Sequence, residues 1–188
     1  MFSPTPISPR TCSSATRASG AAMSCRILGI DPGIAILGYG VVLEEGGELF
    51  NVDYGCLTTP SSHATAERLR SLYWGLLRIV DVHRPTEMAV ELFVARNLKT
   101  ALAVGQARGV AILAAANSGI PVHEYTPAEV KQRISGFGRG DKRQIQEMVK
   151  MQLRLECIPR PDDAADALAV AICHATQNRL ARIIGGGR

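Results

Sequence analysis

Several features are missing from this chain, and each absence argues against a class of function. The five cysteines (Cys12, Cys25, Cys56, Cys157 and Cys173) are odd in number and contain no C-x-x-C pair. That argues against both a disulfide framework and a zinc site, and it fits a reducing compartment. The four histidines, His63, His83, His123 and His174, are scattered with no H-x-x-x-H spacing, so any metal is expected to be held by oxygen. No apolar run approaches the ~20 residues of a membrane span, so a soluble protein with no membrane partner is expected. Residues 1–24 hold no acid and lack the continuous hydrophobic segment of a secretory signal. They are rich in Ser, Thr, Pro and Ala and carry Arg10 and Arg17. The expectation is a disordered tail, either an organelle transit peptide or an over-extended start ahead of Met23. The ordered domain is then expected over 25–178, with 179–188 as a C-terminal tail.

What remains is enough for one ordinary domain: 188 residues, 46% of them apolar, can bury a real core. The net charge of +4 is modest but unevenly spread. From Arg26 to Ala95 acids lead bases nine to five, whereas from Arg96 onward bases lead fourteen to eight. A basic half suggests a polyanionic partner.

The organising stretch is Arg26-Ile27-Leu28-Gly29-Ile30-Asp31-Pro32-Gly33. A short apolar run ending on a turn signal predicts a buried strand. Asp31 would stand at its C-terminal lip, where open sheets hold ligands. An Asp-Pro-Gly turn is the plain alternative, and the choice rests on whether other carboxylates converge there. Leu37 to Leu43 and Leu49 to Leu57 predict two further strands joined by Glu44-Glu45-Gly46-Gly47. Ala64 to His83 predicts an amphipathic helix. Met88 to Val90 predicts a buried strand that delivers Glu91 as the first delivers Asp31. Asn97 to Asn117 is a helix dense in Ala and Gly, Val122 to Tyr125 a fifth strand, and Thr126-Pro127-Ala128-Glu129 a capping box opening another helix. The order implies an α/β fold with a mixed five-stranded sheet flanked by helices, its later crossovers right-handed. The first and fourth strands can then lie parallel and adjacent, bringing Asp31 and Glu91 to one edge.

Two more stretches carry chemistry. Gly136-Phe137-Gly138-Arg139-Gly140 lies among Lys131, Arg133, Arg139, Lys142 and Arg143, which suits a phosphate backbone or a plain solvated loop. Asp162-Asp163-Ala164-Ala165-Asp166 opens the last helix, with Asp162 as expected N-cap. Asp163 and Asp166, three apart, share a face. Acids at a helix start can simply complement its dipole. With Asp31 and Glu91, however, they form an all-oxygen set suited to Mg²⁺ or Mn²⁺.

Taken together, Gly29-Ile30-Asp31-Pro32-Gly33, Gly38-Tyr39-Gly40, Gly105-Gln106-Ala107-Arg108-Gly109, Val130-Lys131-Gln132 and Asp163-Ala164-Ala165-Asp166-Ala167-Leu168-Ala169 resemble the RuvC family of Holliday-junction endonucleases. The resemblance runs in order from about Arg26 to Ala175. It implies an RNase H-like fold, a homodimer, and metal-dependent cutting of branched DNA, the four-way junction, in recombination and repair. A cytoplasmic bacterial location and a branch-migration helicase complex as partner are further implications. Asp31, Glu91, Asp163 and Asp166 match the family's four catalytic acids and metal ligands. Lys131 and Lys142 match basic positions near the scissile DNA, and Arg139 and Arg143 join them as expected DNA contacts. One departure stands out: the segment from Glu91 to Asn97 is one residue shorter than the family pattern. Phe93 is its counterpart to an aromatic that wedges into the junction, though a Phe at a strand end can also be core.

The expected mechanism uses two Mg²⁺ ions per site, with Asp31 as the bridging ligand, to drive an in-line displacement. Repulsion among the acids should raise at least one pKa. Three rivals stay open: a nuclease for structured RNA, a sugar-kinase or ATPase relative, and a non-catalytic DNA-binding module. The kinase reading needs a second phosphate loop and a duplicated domain, for which the length leaves no room.

Overall fold

The computed structural model describes residues 24–92, 98–136 and 141–185. Phe93, Arg139 and nearly all of the N-terminal stretch lie outside the described residues. The chain opens with β1 (Cys25–Asp31), β2 (Ile36–Glu45) and β3 (Glu48–Thr58), followed by α1 (Thr65–His83) and β4 (Glu87–Glu91). It continues with α2 (Leu98–Asn117), β5 (Val122–Tyr125), α3 (Pro127–Ser135), α4 (Lys142–Gln152) and α5 (Asp162–Gly185). The five strands form one sheet in the order β3-β2-β1-β4-β5. β1, β2 and β3 pair antiparallel, turning through Gly46 and Gly47, both at positive φ where a side chain would be strained. β4 pairs parallel with β1, and β5 with β4. The mixed sheet and the β1–β4 adjacency are as expected from the order of elements.

Alternation along the strands divides the core in two. Leu28, Ile30, Val41, Met88 and Val90 face α1 and α2, meeting Leu72 and Leu76 of the amphipathic α1 stripe. Ile27, Val42, Ala89 and Tyr125 face α5, with Val130 of α3 and Val149 of α4 closing that side. Each fully buried Leu or Ile here contributes roughly 1.5–3 kcal/mol.

Except at Asp166, which is half-buried, α5 is buried from Ala164 to Ala175. It can lie flat on the sheet because β1 and β2 present glycine to it. A Cβ at Gly29 would sit 2.1 Å from the Ala167 carbonyl oxygen, and one at Gly38 would sit 2.0 Å from that of Asp163. Any side chain at either position would lift the helix and its acids off the sheet.

α5 continues to Gly185, through most of the stretch expected as a C-terminal tail from 179. Arg182 donates to the buried Glu44 carboxylate at 2.8 Å and Arg179 to the Gly47 carbonyl at 3.3 Å. These charges hold the helix to the β2–β3 hairpin. Asp162 is the first helical residue rather than the N-cap; its carboxylate turns outward to Arg160 at 2.5 Å.

Candidate active site

Asp31 ends β1 and Glu91 ends β4. The parallel register runs to Ile30 opposite Val90, so the next residue on each strand projects from the same lip. Asp31 also stands opposite Gly38, the glycine against which the Asp163 backbone packs. Asp166 follows one turn along α5. Two strand ends and one helix face thus bring the four expected acids together. Asp31 is the acid whose titration senses all three others.

Burial first, then repulsion by Glu91, Asp166 and Asp163, pushes Asp31 up to about 7. Glu91 is likewise raised to about 7, by burial and then Asp166, against the opposing pull of Lys131 and Lys142. Burial also raises Asp166, while Lys142 pulls it down. The repulsion expected from the sequence is present, but desolvation is the larger cause. Sequence spacing cannot display burial.

Lys142 opens α4 behind the cap Asp141, whose carboxylate accepts from the Gln144 N–H at 2.7 Å. Its Nζ lies 3.3 Å from Asp166 and 3.2 Å from Asp162. These two carboxylates raise its pKa although burial opposes them. Asp162 as the partner of Lys142 went unseen in the sequence, where it reads only as a helix-start acid. Lys131 comes from α3, whose Thr126–Glu129 capping box forms as expected. Lys131 and Lys142 join Glu91, Asp166, Val130 and Ile145 around a cleft of about 220 Å³. Arg143 lines the adjoining recess with Lys142 and Arg160. A larger hollow of about 330 Å³ lies elsewhere, beside Glu44, Glu48, Arg154 and Arg179. Its acids already face Arg182 and Arg154, so it lacks the unmet charge of the acid cluster.

The donor set fits a hard divalent cation: all its ligating atoms are carboxylate oxygens, and two of the half-buried acids keep raised pKa values despite the nearby Lys142, and Lys131 beside Glu91. A single turn residue at Asp31 would not sit within reach of three other acids, so the plain-turn alternative is set aside.

The opposite end of the same strand and helix behaves differently. Burial alone would raise Glu87, yet hydrogen bonds from His174 and Asn178 hold its carboxyl below the usual range.

Comparison with known proteins agrees with this architecture. Residues 27–174 match the family described as Crossover junction endodeoxyribonuclease RuvC. The protein of that description from Alkaliphilus oremlandii is 58% identical over 150 residues, covering 79% of this chain and 92% of its own length. That from Chloroflexus aggregans is 59% identical over 151 residues, covering 80% and 92%. Among solved structures, Thermus thermophilus RuvC in complex with Holliday junction substrate superposes with a TM-score of 0.79 at 35% identity, covering 83% of this chain and 96% of that one. With an RNase H-like fold and a family match across most of its length, the chain belongs to the RuvC family of crossover junction endodeoxyribonucleases.

Proposed function

We propose that this protein is a Mg²⁺-dependent endonuclease that resolves four-way DNA junctions by paired, symmetric strand cuts. The observation that carries the proposal is the half-buried all-carboxylate cluster at the β1, β4 and α5 ends, with Lys131 and Lys142 at its rim. Asp31, Glu91, Asp163 and Asp166 would hold the cation, with Asp31 as the central donor because it couples to all the others. When bound, Mg²⁺ or Mn²⁺, two ions to a site, supplies Lewis-acid stabilisation of charge on the reacting phosphate.

The chain's own groups position and neutralise the substrate. Lys142 is shared between Asp162 and Asp166. It can turn its ammonium to a phosphate oxygen while Asp162 keeps it near the site. Lys142 and Arg143 occupy the first turn of α4, where no acid is present. These cations suit a phosphate, although they oppose the helix dipole and the Asp141 carboxylate already caps that end. Lys131 faces the same cleft beside Glu91, and Arg139 and Phe93 complete the proposed DNA contacts.

A homodimer would match the two-fold symmetry of the junction. α2 offers the surface for it. Leu98, Leu102 and Leu113 are exposed, and nothing lies within 4 Å of a Cβ built at Gly105 or Gly109. Spaced at four, three and four residues, Leu98, Leu102, Gly105 and Gly109 form a seam that a second α2 can pack against closely.

The test is a labelled synthetic four-way junction, offered beside linear duplex and structured RNA with and without Mg²⁺. The expected result is Mg²⁺-dependent paired nicks in the junction alone. Cutting confined to RNA, or none with any divalent ion, would contradict the proposal.

A further inference from the structure

At the end of the molecule away from the acid cluster, β4, β5 and α5 bring Glu87, His123 and His174 together. Each offers one ligand atom, and these atoms all lie within 4.8 Å of one another. They are 36 and 51 residues apart along the chain, so no local spacing betrays them. The register sets Ala89 opposite His123 and Glu91 opposite Tyr125. Glu87, two residues before Ala89, and His123 therefore share the sheet face that α5 covers. His174 comes down from α5, fully buried, with its ring centroid 4.3 Å from that of His123.

Part of this cluster is an ordinary buried network. His174 Nε2 contacts the Glu87 carboxylate, Asn178 Nδ2 donates to the same oxygen at 2.8 Å, and Tyr125 Oη lies 2.6 Å from His174 Nδ1. Those contacts already satisfy Glu87 and His174. His123 adds nothing to them, since its Nε2 is 3.8 Å from the Glu87 oxygen, too far for a hydrogen bond. A third donor atom nevertheless faces the same point.

We propose that Glu87, His123 and His174 form a second metal site, selective for Zn²⁺ or a similar transition ion, that ties β4 and β5 to α5. Two imidazoles and a carboxylate are a borderline-soft set that suits such ions and not Mg²⁺. Tetrahedral bonds of ~2.0–2.1 Å place ligand atoms ~3.3 Å apart, so the site needs the His174–Glu87 contact to open slightly and a modest approach by His123. His123 can supply it, because its side chain is 43% exposed on a sheet-edge strand. That exposure also leaves the fourth position open to water. His174 binds through Nε2 only as its Nδ1–H tautomer, and Tyr125 Oη stands where that N–H needs an acceptor. Such a partner fixes a ligating histidine in orientation. Asn178 holds the Glu87 carboxylate in the same way. This site is independent of the nuclease proposal, and it revises the expectation from histidine spacing that any metal must be held by oxygen alone.

The test uses the full chain after chelator treatment, titrated with Zn²⁺ or Mg²⁺ against a chromophoric competitor and melted with each ion. Wild type and Asp31→Asn should both bind Zn²⁺ and gain thermal stability from it. His123→Ala should bind at least ~10-fold more weakly and lose the thermal gain, as should Glu87→Gln. Mg²⁺ should give no gain that depends on His123. Zn²⁺ binding unchanged in His123→Ala and Glu87→Gln, or abolished by Asp31→Asn, would overturn the site. Because His123 is half exposed, its variant should fold, and its melt without metal verifies that.

Discussion

β4 and α5 lie against one another across the molecule and bury carboxylates at both ends, and the two ends treat them in opposite ways. At the C-terminal end of β4, Asp31 and Glu91 are half-buried among other acids and pushed up to about 7. At its N-terminal end, Glu87 is met by His174 and Asn178 and held below its ordinary range. The difference separates an unmet demand for positive charge from a settled polar network. Fold stability would favour settling both ends. Leaving one unsettled is what a cation-dependent nuclease requires.

The largest expected effect concerns catalysis. Asp166→Asn or Glu91→Gln should reduce junction cutting by ~10³-fold or more, the scale of losing one strong electrostatic stabiliser. A steady-state cleavage assay with Mg²⁺ checks this, and a loss under tenfold would count against the assigned roles.

The same two ends should respond oppositely in stability. Without metal, Glu91→Gln should hold or raise the melting temperature by relieving burial of charge. Glu87→Gln should cost ~1–3 kcal/mol, because a charged acceptor of two donors is weakened. Equal shifts in both variants would erase the contrast.

The contrast should also appear with pH. Raised folded-state pKa values mean that the native chain holds protons which the unfolded chain has released between pH ~4 and ~7. The acid end therefore favours folding least once pH has risen through about 7. His174, whose pKa burial lowers, works in the opposite sense, so the acid end is read as a difference: in chelator, wild type should lose melting temperature relative to Glu91→Gln as pH rises from 5 to 8, and saturating Mg²⁺ should shrink that difference. Parallel pH profiles for the two proteins in chelator would contradict the raised pKa of this acid.

Smaller effects should follow at the periphery. Neutralising Lys131, Lys142 or Arg143 should each lower the log–log salt dependence of junction binding by about one unit if it contacts phosphate. Three unchanged slopes would leave those residues as a solvated face. A chain starting at Met23 should fold and cut as the full chain does, and a lower melting temperature would place structure in the segment before it.

Much of this was legible in the sequence, for identifiable reasons. Asp31 and Glu91 each end an apolar run, and the order of elements allowed β1 and β4 to be neighbours. Asp163 and Asp166 share a helical turn. What escaped notice depended on long-range contact or burial. Glu87, His123 and His174 meet only through the β4–β5 register and the path of α5. Arg179 and Arg182 resemble a charged tail until the β2–β3 hairpin supplies Gly47 and Glu44 as partners. Gly29 and Gly38 admit the backbone of α5 against the sheet, a contact that shows only once the helix is in place.

The most direct measurement is the Asp31→Asn protein on a labelled four-way junction, with binding and cutting read in the same sample. The carboxylate-cluster account predicts that the junction is still bound, since the proposed phosphate contacts lie at Lys131, Lys142 and Arg143. It predicts that cutting falls to background at every practical Mg²⁺ concentration. Asparagine serves a simple turn nearly as well as aspartate, so cutting that persists in Asp31→Asn would contradict the account.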